Sequence, residues 1–145
     1  MFILLFPAGL IASSLDSLWQ QDLESALQKA SEENKQVLMV FSGSDWCRPC
    51  MQFRREVLHN PQFIQKVKDD LVILYVDFPR RRKNRLTTDQ KDHNASLADK
   101  FNPNGVFPLV LLLDKEGKKI ARLENLGQGL EIFLKEYAQF KEDFE

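Results

Sequence analysis

The two cysteines of the chain are the residues whose type and spacing most directly indicate chemistry. They are Cys47 and Cys50, separated by an arginine and a proline. The apolar run 37–41, typical of a buried strand, precedes them, and a helix is predicted over residues 48–58. Helix N-terminal N–H groups carry partial positive charge, so a thiolate placed there is stabilised and its pKa falls. Cys47 is therefore predicted to be a nucleophile for partner disulfides.

The two residues between the cysteines favour the same chemistry. Their spacing places Cys50 one helical turn beyond Cys47, close enough to resolve a mixed disulfide. Pro49 has no N–H to lose in the first helical turn and fixes the φ angle for helix entry. Arg48 adds a full positive charge beside the thiolate. A Cys-x-x-Cys pair beside a βαβ pattern indicates a redox role.

A zinc site and a structural disulfide are the two alternative roles for the pair. A zinc site would need two further ligands, and the chain has no second cysteine pair. The only histidines, His59 and His93, match no common zinc-finger spacing, and His59 is expected to be a polar cap near a helix end. We therefore predict no metal. A purely structural disulfide is the second alternative, but so small a loop constrains the unfolded chain little.

The remaining apolar patterns predict one α/β domain, which fits a length of 145 residues. Spacing of i, i+3 and i+4 predicts an amphipathic helix over residues 15–35, with Ser17 and Gln20 as a capping box. Further strands are predicted at 71–76, 107–113 and 118–123, and further helices at 61–68, 95–101 and after Gly129. The order α-β-α-β-α-β-β-α predicts a central mixed sheet flanked by helices, with an antiparallel hairpin at one edge.

Residues 41–50 resemble the active-site strand, loop and helix of the thioredoxin superfamily. Phe107-Pro108, at the start of a predicted strand, fits the position of that family's cis-proline, which faces the cysteine pair. The resemblance covers about residues 18–140 and implies the thioredoxin fold. It also implies that Trp46 shields the pair and contacts partners, and that Phe107 and Pro108 position an extended substrate segment. No organic cofactor or metal is implied beyond the Cys47–Cys50 disulfide.

Residues 43–47 and 76–80 are similar to a bacterial, often exported branch of the superfamily. Its members resemble the periplasmic Dsb-type thiol oxidoreductases and the chlamydial and planctomycetal thioredoxin-like proteins. The resemblance implies a thiol–disulfide oxidoreductase that acts on protein thiols and disulfides and takes electrons from a dithiol protein. The chain has two cysteines and no dimer-forming extension, so we expect a monomer. A reductase or isomerase in the periplasm is the favoured interpretation. A disulfide-forming oxidase and a non-catalytic binding module are the alternatives, and the cytoplasm is the alternative location.

Three departures from ordinary thioredoxin modify this expectation. Phe41 occupies the position of a buried aspartate that assists proton transfer, and Arg48 replaces the usual glycine. The connection after Asp77 is longer and more basic than in small thioredoxins. Proton transfer at Cys50 would then need water or another acid, for which Asp45 is a weak candidate.

The amino-terminal residues 1–14 form an apolar run with no charged residue, and the run ends in Ala12-Ser13-Ser14. This run is too short to span a bilayer, but its length and its small-residue end fit a secretory signal. We predict a signal peptide over 1–14 and a working domain over 15–145. The alternative is an apolar first strand or arm of the domain.

The basic loop at residues 79–93 contains six Lys and Arg against two Asp, a local charge of +4 within a chain of net charge −1. The near-zero total argues against a surface built for nucleic acid, and no aromatic residue interrupts residues 80–85 for base stacking. The simplest interpretation is a solvated, mobile loop. The functional alternatives are contact with an acidic partner, with lipid head groups or with nucleic acid.

Overall fold

The computed structural model describes residues 18–143, so the predicted signal peptide lies outside the described part of the chain. Five strands and five α-helices follow one another in this part, with a π-helical stretch, Arg54–Leu58, directly after the second helix. In chain order they are β1 (Trp19–Gln20), α1 (Leu23–Glu33), β2 (Gln36–Ser42), α2 (Arg48–Phe53), α3 (Pro61–Val67), β3 (Leu71–Asp77), α4 (Thr88–Phe101), β4 (Leu109–Leu113), β5 (Lys119–Leu123) and α5 (Leu130–Asp143).

The strands form one mixed sheet in the order β1-β3-β2-β4-β5. Both β1 and β2 run parallel to β3, whereas β4 is antiparallel to β2 and to β5. The predicted mixed sheet with an antiparallel edge hairpin is therefore confirmed. Because Ser42 pairs with Asp77, the segments that follow β2 and β3 leave the sheet side by side.

Helices cover both faces of the sheet, which explains why its central strands are apolar along most of their length. On one face, Leu38 and Val40 of β2 pack with Phe53, Phe63 and Phe133 from α2, α3 and α5. On the other face, Val37, Met39 and Phe41 pack with Ala26 and Ala30 of α1 and Leu97 of α4. The closing helix packs Phe133 and Tyr137 into the first of these layers, as its apolar spacing predicts.

The prediction of a single helix over residues 15–35 is wrong at its start. Trp19 and Gln20 form a strand that pairs with Ile73 and Leu74 of β3. The helix begins only at Leu23, and its N-cap is Asp22, which accepts a hydrogen bond from the Ser25 N–H at 2.8 Å. The predicted capping box is therefore also wrong, because its residue Gln20 lies in the strand and Ser17 lies outside the described residues.

Two other boundaries differ from prediction. The fourth helix begins at Thr88, seven residues before the predicted start at Ala95, because the Thr87 hydroxyl accepts a hydrogen bond from the Gln90 N–H. The fourth strand begins at Leu109, so Phe107 and Pro108 lie just before it. Among the described residues, no helix is long and apolar enough to cross a membrane.

Candidate active site

Cys47 and Cys50 form a disulfide at the start of α2. Cys47 is the N-cap of this helix, and Pro49 lies in its first turn, as the sequence predicts. Both cysteines are buried, with Cys47 at 6% exposure and Cys50 at 2%. Cys47 is therefore the more exposed of the two residues, and Arg48 and Pro49 lie exposed beside it.

Backbone N–H groups surround the two sulfurs. The Cys50 N–H donates to Cys47 Sγ at 3.3 Å, and the Gly43 N–H donates to Cys50 Sγ at 3.5 Å. The Cys47 N–H in turn donates to the Gly43 carbonyl at 2.9 Å. These donors favour negative charge on either sulfur, because hydrogen bonds to an ionised acceptor are stronger than those to a neutral one.

Trp46 lies half-buried between the disulfide and the segment that follows β3. Its indole Nε1–H donates to the Phe78 carbonyl at 2.7 Å. Its ring covers Gly43 so closely that a Cβ at this position would overlap the indole. Only glycine therefore allows both the turn after β2 and this placement of the indole.

The Phe107–Pro108 peptide bond is cis, as the resemblance to thioredoxins implies. Pairing of Phe41 with Leu109 places this bond beside the end of β2. The Phe107 ring contacts the Trp46 ring edge-on, with centroids 5.5 Å apart, and contacts Phe78 in the same manner. The structure thus brings Trp46, Phe107 and Pro108 to the edge of the sheet that carries the cysteines.

Asp45 holds the basic loop against this edge. Its carboxylate accepts hydrogen bonds from the N–H groups of Arg80 and Arg81, both at 2.9 Å, and from the Asn84 amide at 3.0 Å. These donors lower the pKa of Asp45 to about 2. The side chains of residues 80–85 are exposed, as predicted for a solvated loop, and Asp45 anchors the loop backbone.

Asp77 and Asn94 form a second set of anchors that sequence reasoning missed. The Asp77 carboxylate accepts from the N–H groups of Ser44 and Phe78 and from the Ser44 hydroxyl. The buried Asn94 amide donates to the Asp77 carbonyl at 2.9 Å. The pairing of Ser42 with Asp77 in neighbouring strands is the physical reason for these anchors. The residues are far apart in sequence, so no local sequence pattern indicates their contacts.

No acid is placed to exchange protons with Cys50 where ordinary thioredoxins have one. Phe41 is fully buried and stacks on Phe78, so this position is apolar. The low pKa of Asp45 keeps its carboxylate ionised at neutral pH, which makes it a poor proton donor. Among residues 18–143, no group of three His, Cys, Asp or Glu side chains could hold a metal ion.

The two histidines lie away from the disulfide in structural positions. His59 ends the π-helical stretch, as predicted for a residue near a helix end. Its ring stacks on that of Trp19. Partial burial and the nearby Arg54 guanidinium lower the pKa of His59. His93 Nε2 accepts the Leu23 N–H at 3.1 Å and so ties α4 to the start of α1.

A family model described as thioredoxin-like matches residues 18–115. The thioredoxin-related protein DsbJ of Chlamydia pneumoniae is 36% identical over 110 residues, which are 76% of this chain and 31% of DsbJ. The disulfide bond reductase DsbH of the same organism is 31% identical over 105 residues, which are 72% of this chain and 61% of DsbH. The chain therefore spans less than two thirds of the length of either relative.

Solved structures give the same result at the level of the fold. An oxidoreductase named DsbH has a TM-score of 0.75 at 25% identity, covering 84% of this chain and 82% of its own. A thioredoxin from Thermus thermophilus has a TM-score of 0.60 at 21% identity, covering 83% of this chain and 84% of its own. The second likeness concerns the fold alone.

Proposed function

The chain belongs to the thioredoxin-like family, and we propose that it is a thiol–disulfide oxidoreductase that exchanges disulfides in partner proteins. The observation that carries this proposal is the Cys47–Cys50 disulfide at the start of α2, beside the cis Phe107–Pro108 bond. In the reductive direction, which we favour, the disulfide in the structure is the product.

The reaction has two exchange steps. The Cys47 thiolate attacks one sulfur of a partner disulfide, which forms a mixed disulfide and releases the first partner thiolate. The Cys50 thiolate then attacks Cys47 Sγ, which closes the Cys47–Cys50 disulfide and releases the second partner thiolate. Two electrons pass from the pair to the partner, and the partner thiolates gain the two protons that the cysteines lose.

The chain's own groups support each role. Cys47 is the more exposed sulfur, and the Cys50 N–H aimed at it stabilises its thiolate. The rings of Trp46 and Phe107 are in contact with each other next to the pair. The backbone at Phe107 and Pro108 aligns an extended partner segment. The Cys50 proton passes to water or to the first partner thiolate, because a carboxylate with a pKa of about 2, such as that of Asp45, is a weak base.

An insulin-reduction assay with dithiothreitol as electron source tests the proposal. The Cys47→Ser variant should lose the accelerated rate, while circular dichroism shows an unchanged fold, because serine is also a good N-cap. Identical rates for wild type and variant would instead indicate a thioredoxin-like binding module without turnover.

The direction of electron flow is tested by the reduction potential of the pair. A value near that of thioredoxin, about −270 mV, would support the reductase, and one near about −120 mV would support a disulfide-forming oxidase. The exposed Arg48 and the N–H donor to Cys47 Sγ favour the oxidase alternative, since they stabilise the reduced form. The Arg48→Ala variant should accordingly have a lower potential than wild type.

The proposal extends to location and partners. We place the protein in the periplasm, as a monomer that needs no cofactor beyond its disulfide and takes electrons from a dithiol protein. Expression in an exporting bacterial host should give a product that lacks residues up to about Ser14, as measured by intact mass. Recovery of the full-length product from the periplasm would contradict the predicted cleavage.

A further inference from the structure

A cationic cavity of about 220 Å³ is lined by the loop that follows β3 and by residues of α4. Five cationic side chains line it, namely Arg80, Arg81, Arg82, Arg85 and Lys91. None of these five forms an ion pair with another residue of the described range 18–143. The cavity therefore presents positive charge that no salt bridge in this range neutralises.

The carboxylates of Asp77 and Asp45 are already engaged. Asp77 lines the cavity, but its oxygens accept hydrogen bonds from Ser44 and Phe78. The Asp45 carboxylate accepts from backbone N–H groups and from the Asn84 amide. Five cationic side chains thus line the cavity with one carboxylate, Asp77, and the guanidinium donors stay available to a ligand.

The walls of the cavity are held in place before any ligand arrives. Asp45 fixes the loop at Arg80 and Arg81, and Asn94 fixes the opposite wall through the Asp77 carbonyl. The Phe78 N–H also donates to the Ser42 carbonyl at 2.9 Å. A binding surface that is already ordered loses less conformational entropy when its ligand binds.

Trp46 connects the cavity lining to the cysteine pair. The Arg80 guanidinium lies 3.8 Å above the centre of the Trp46 ring, a cation–π contact. The same indole donates to Phe78, another residue of the cavity lining. Trp46 therefore contacts two residues of the cavity lining and directly precedes Cys47 in the chain.

We propose that this cavity docks an acidic segment of the partner protein whose disulfide Cys47 attacks, an inference that rests on the proposed exchange activity. Arginine guanidinium groups bind carboxylates through paired N–H donors. The volume is below the roughly 300 Å³ at which small-molecule sites begin, so it suits one or two Asp or Glu side chains rather than a cofactor. Charge complementarity speeds encounter and selects partners.

The first test compares three peptides that carry the same internal disulfide. Aspartates and glutamates flank it in one peptide, the matching amides in the second and lysines in the third. The reduced protein should react with the acidic peptide about tenfold faster than with the amide peptide at low salt, and slowest with the lysine peptide. The difference should shrink towards unity in 0.5 M NaCl, because salt screens charges at these distances.

A matched pair of charge reversals locates the effect. The double variant Arg82→Glu and Arg85→Glu should remove the preference for the acidic peptide and leave the rate with the amide peptide unchanged. The control, Lys115→Glu and Lys118→Glu, changes the net charge equally at the turn between β4 and β5, at the opposite end of the sheet. An equal loss in both variants, or equal rates of wild type with all three peptides, would overturn the docking site.

A binding measurement separates docking from exchange. A fluorescently labelled acidic peptide without cysteine should bind the wild-type protein, as measured by anisotropy, and should lose most of its affinity for the loop variant but not for the control. Failure of wild type to reduce the amide peptide would contradict the proposed activity, while anisotropy still decides the docking. Loop-dependent binding to phosphatidylglycerol vesicles or to an oligonucleotide, without binding of the acidic peptide, would overturn the proposal.

Discussion

The segments that follow β2 and β3 leave the same end of the sheet and differ in burial, in charge and in the contacts that hold them. The first, residues 43–47, has no exposed side chain, and the packing of Trp46 on Gly43 fixes it. The second, residues 78–86, exposes a row of cations, and hydrogen bonds to Asp45 hold it. Covalent exchange requires sulfurs held in a fixed, shielded geometry, whereas recognition of a charged partner requires accessible charge.

The largest expected effect is the loss of disulfide reduction, without loss of partner binding, when Cys50 is replaced. The Cys50→Ser variant keeps the attacking sulfur but cannot resolve the mixed disulfide, so insulin reduction should fall by about 10³-fold. A covalent adduct between Cys47 and the partner should accumulate and be visible on a non-reducing gel.

Binding of the cysteine-free acidic peptide should be unchanged in this variant, because the cationic loop is intact. Normal turnover in Cys50→Ser would contradict the two-step mechanism. A loss of peptide binding would show that the two segments cannot be separated in this way.

The next effect tests the packing that the first segment depends on. The Gly43→Ala variant places a Cβ inside the Trp46 ring volume, so the free energy of unfolding should fall by about 2 kcal/mol. The matched control is Gly127→Ala, since a Cβ at Gly127 meets no atom within 4 Å. Urea denaturation measures both, and equal stabilities would contradict the close contact.

The third effect concerns the second segment alone. In Asp45→Asn the charge and one acceptor site are lost, so amide hydrogen exchange at Arg80 and Arg81 should speed up by about tenfold. Asp69→Asn removes the same charge from an exposed side chain and should leave these rates unchanged. Reduction of the amide peptide by Asp45→Asn at high salt should stay near the wild-type rate, and a large loss would mean that the loop takes part in the chemistry.

The same carboxylate predicts a pH dependence. Its pKa is about 2 in the fold and 3.8 in its ordinary environment, so its stabilisation is fully present above about pH 4 and disappears as the pH falls towards 2. Protection of the Arg80 and Arg81 amides should follow this course in wild type and be independent of pH over that range in Asp45→Asn.

The smallest effect lies outside both segments, at His59. Partial burial and Arg54 lower its pKa in the fold, so the unfolded chain binds the proton more tightly. The stabilisation is therefore present above about pH 6.5 and decreases as the pH falls below it. Between pH 7 and 5, the Tm of the wild type should therefore fall relative to that of His59→Gln. The fall should be only about 1 °C, because solvent screens this exposed group well. An opposite sign would contradict the assigned environment.

Local patterns predicted most of the fold and the reactive pair. The apolar runs of β2 and β3 could be predicted because strands buried on both faces are apolar along most of their length. The turn before β5 could be predicted from its own turn residues. The short β1 was not readable, since Trp19 and Gln20 form a strand only through pairing with β3, and their apolar spacing extends that of the next helix. The early start of α4 left a signal, a threonine and a glutamine spaced as a capping box at Thr87 and Gln90, which was missed.

The two segments differ in predictability for the same reason that they differ in structure. Cys47, Cys50 and Pro49 are close in sequence, so their spacing on a helix indicates their chemistry directly. The contacts of Asp45 with Arg80 and Arg81 join residues 35 and 36 positions apart, and no local pattern records them. The cis bond at Pro108 was predicted only through resemblance to a family.

The anchoring of the basic loop through Asp45 has a consequence for protein engineering. Because the bonds to this carboxylate come mainly from backbone N–H groups, they do not depend on which side chains the loop carries. Loop sequences of the same length could therefore be transplanted onto the sheet, each with its own charge, while the disulfide below is left intact. The chain then offers a scaffold whose partner choice and redox centre can be varied one at a time.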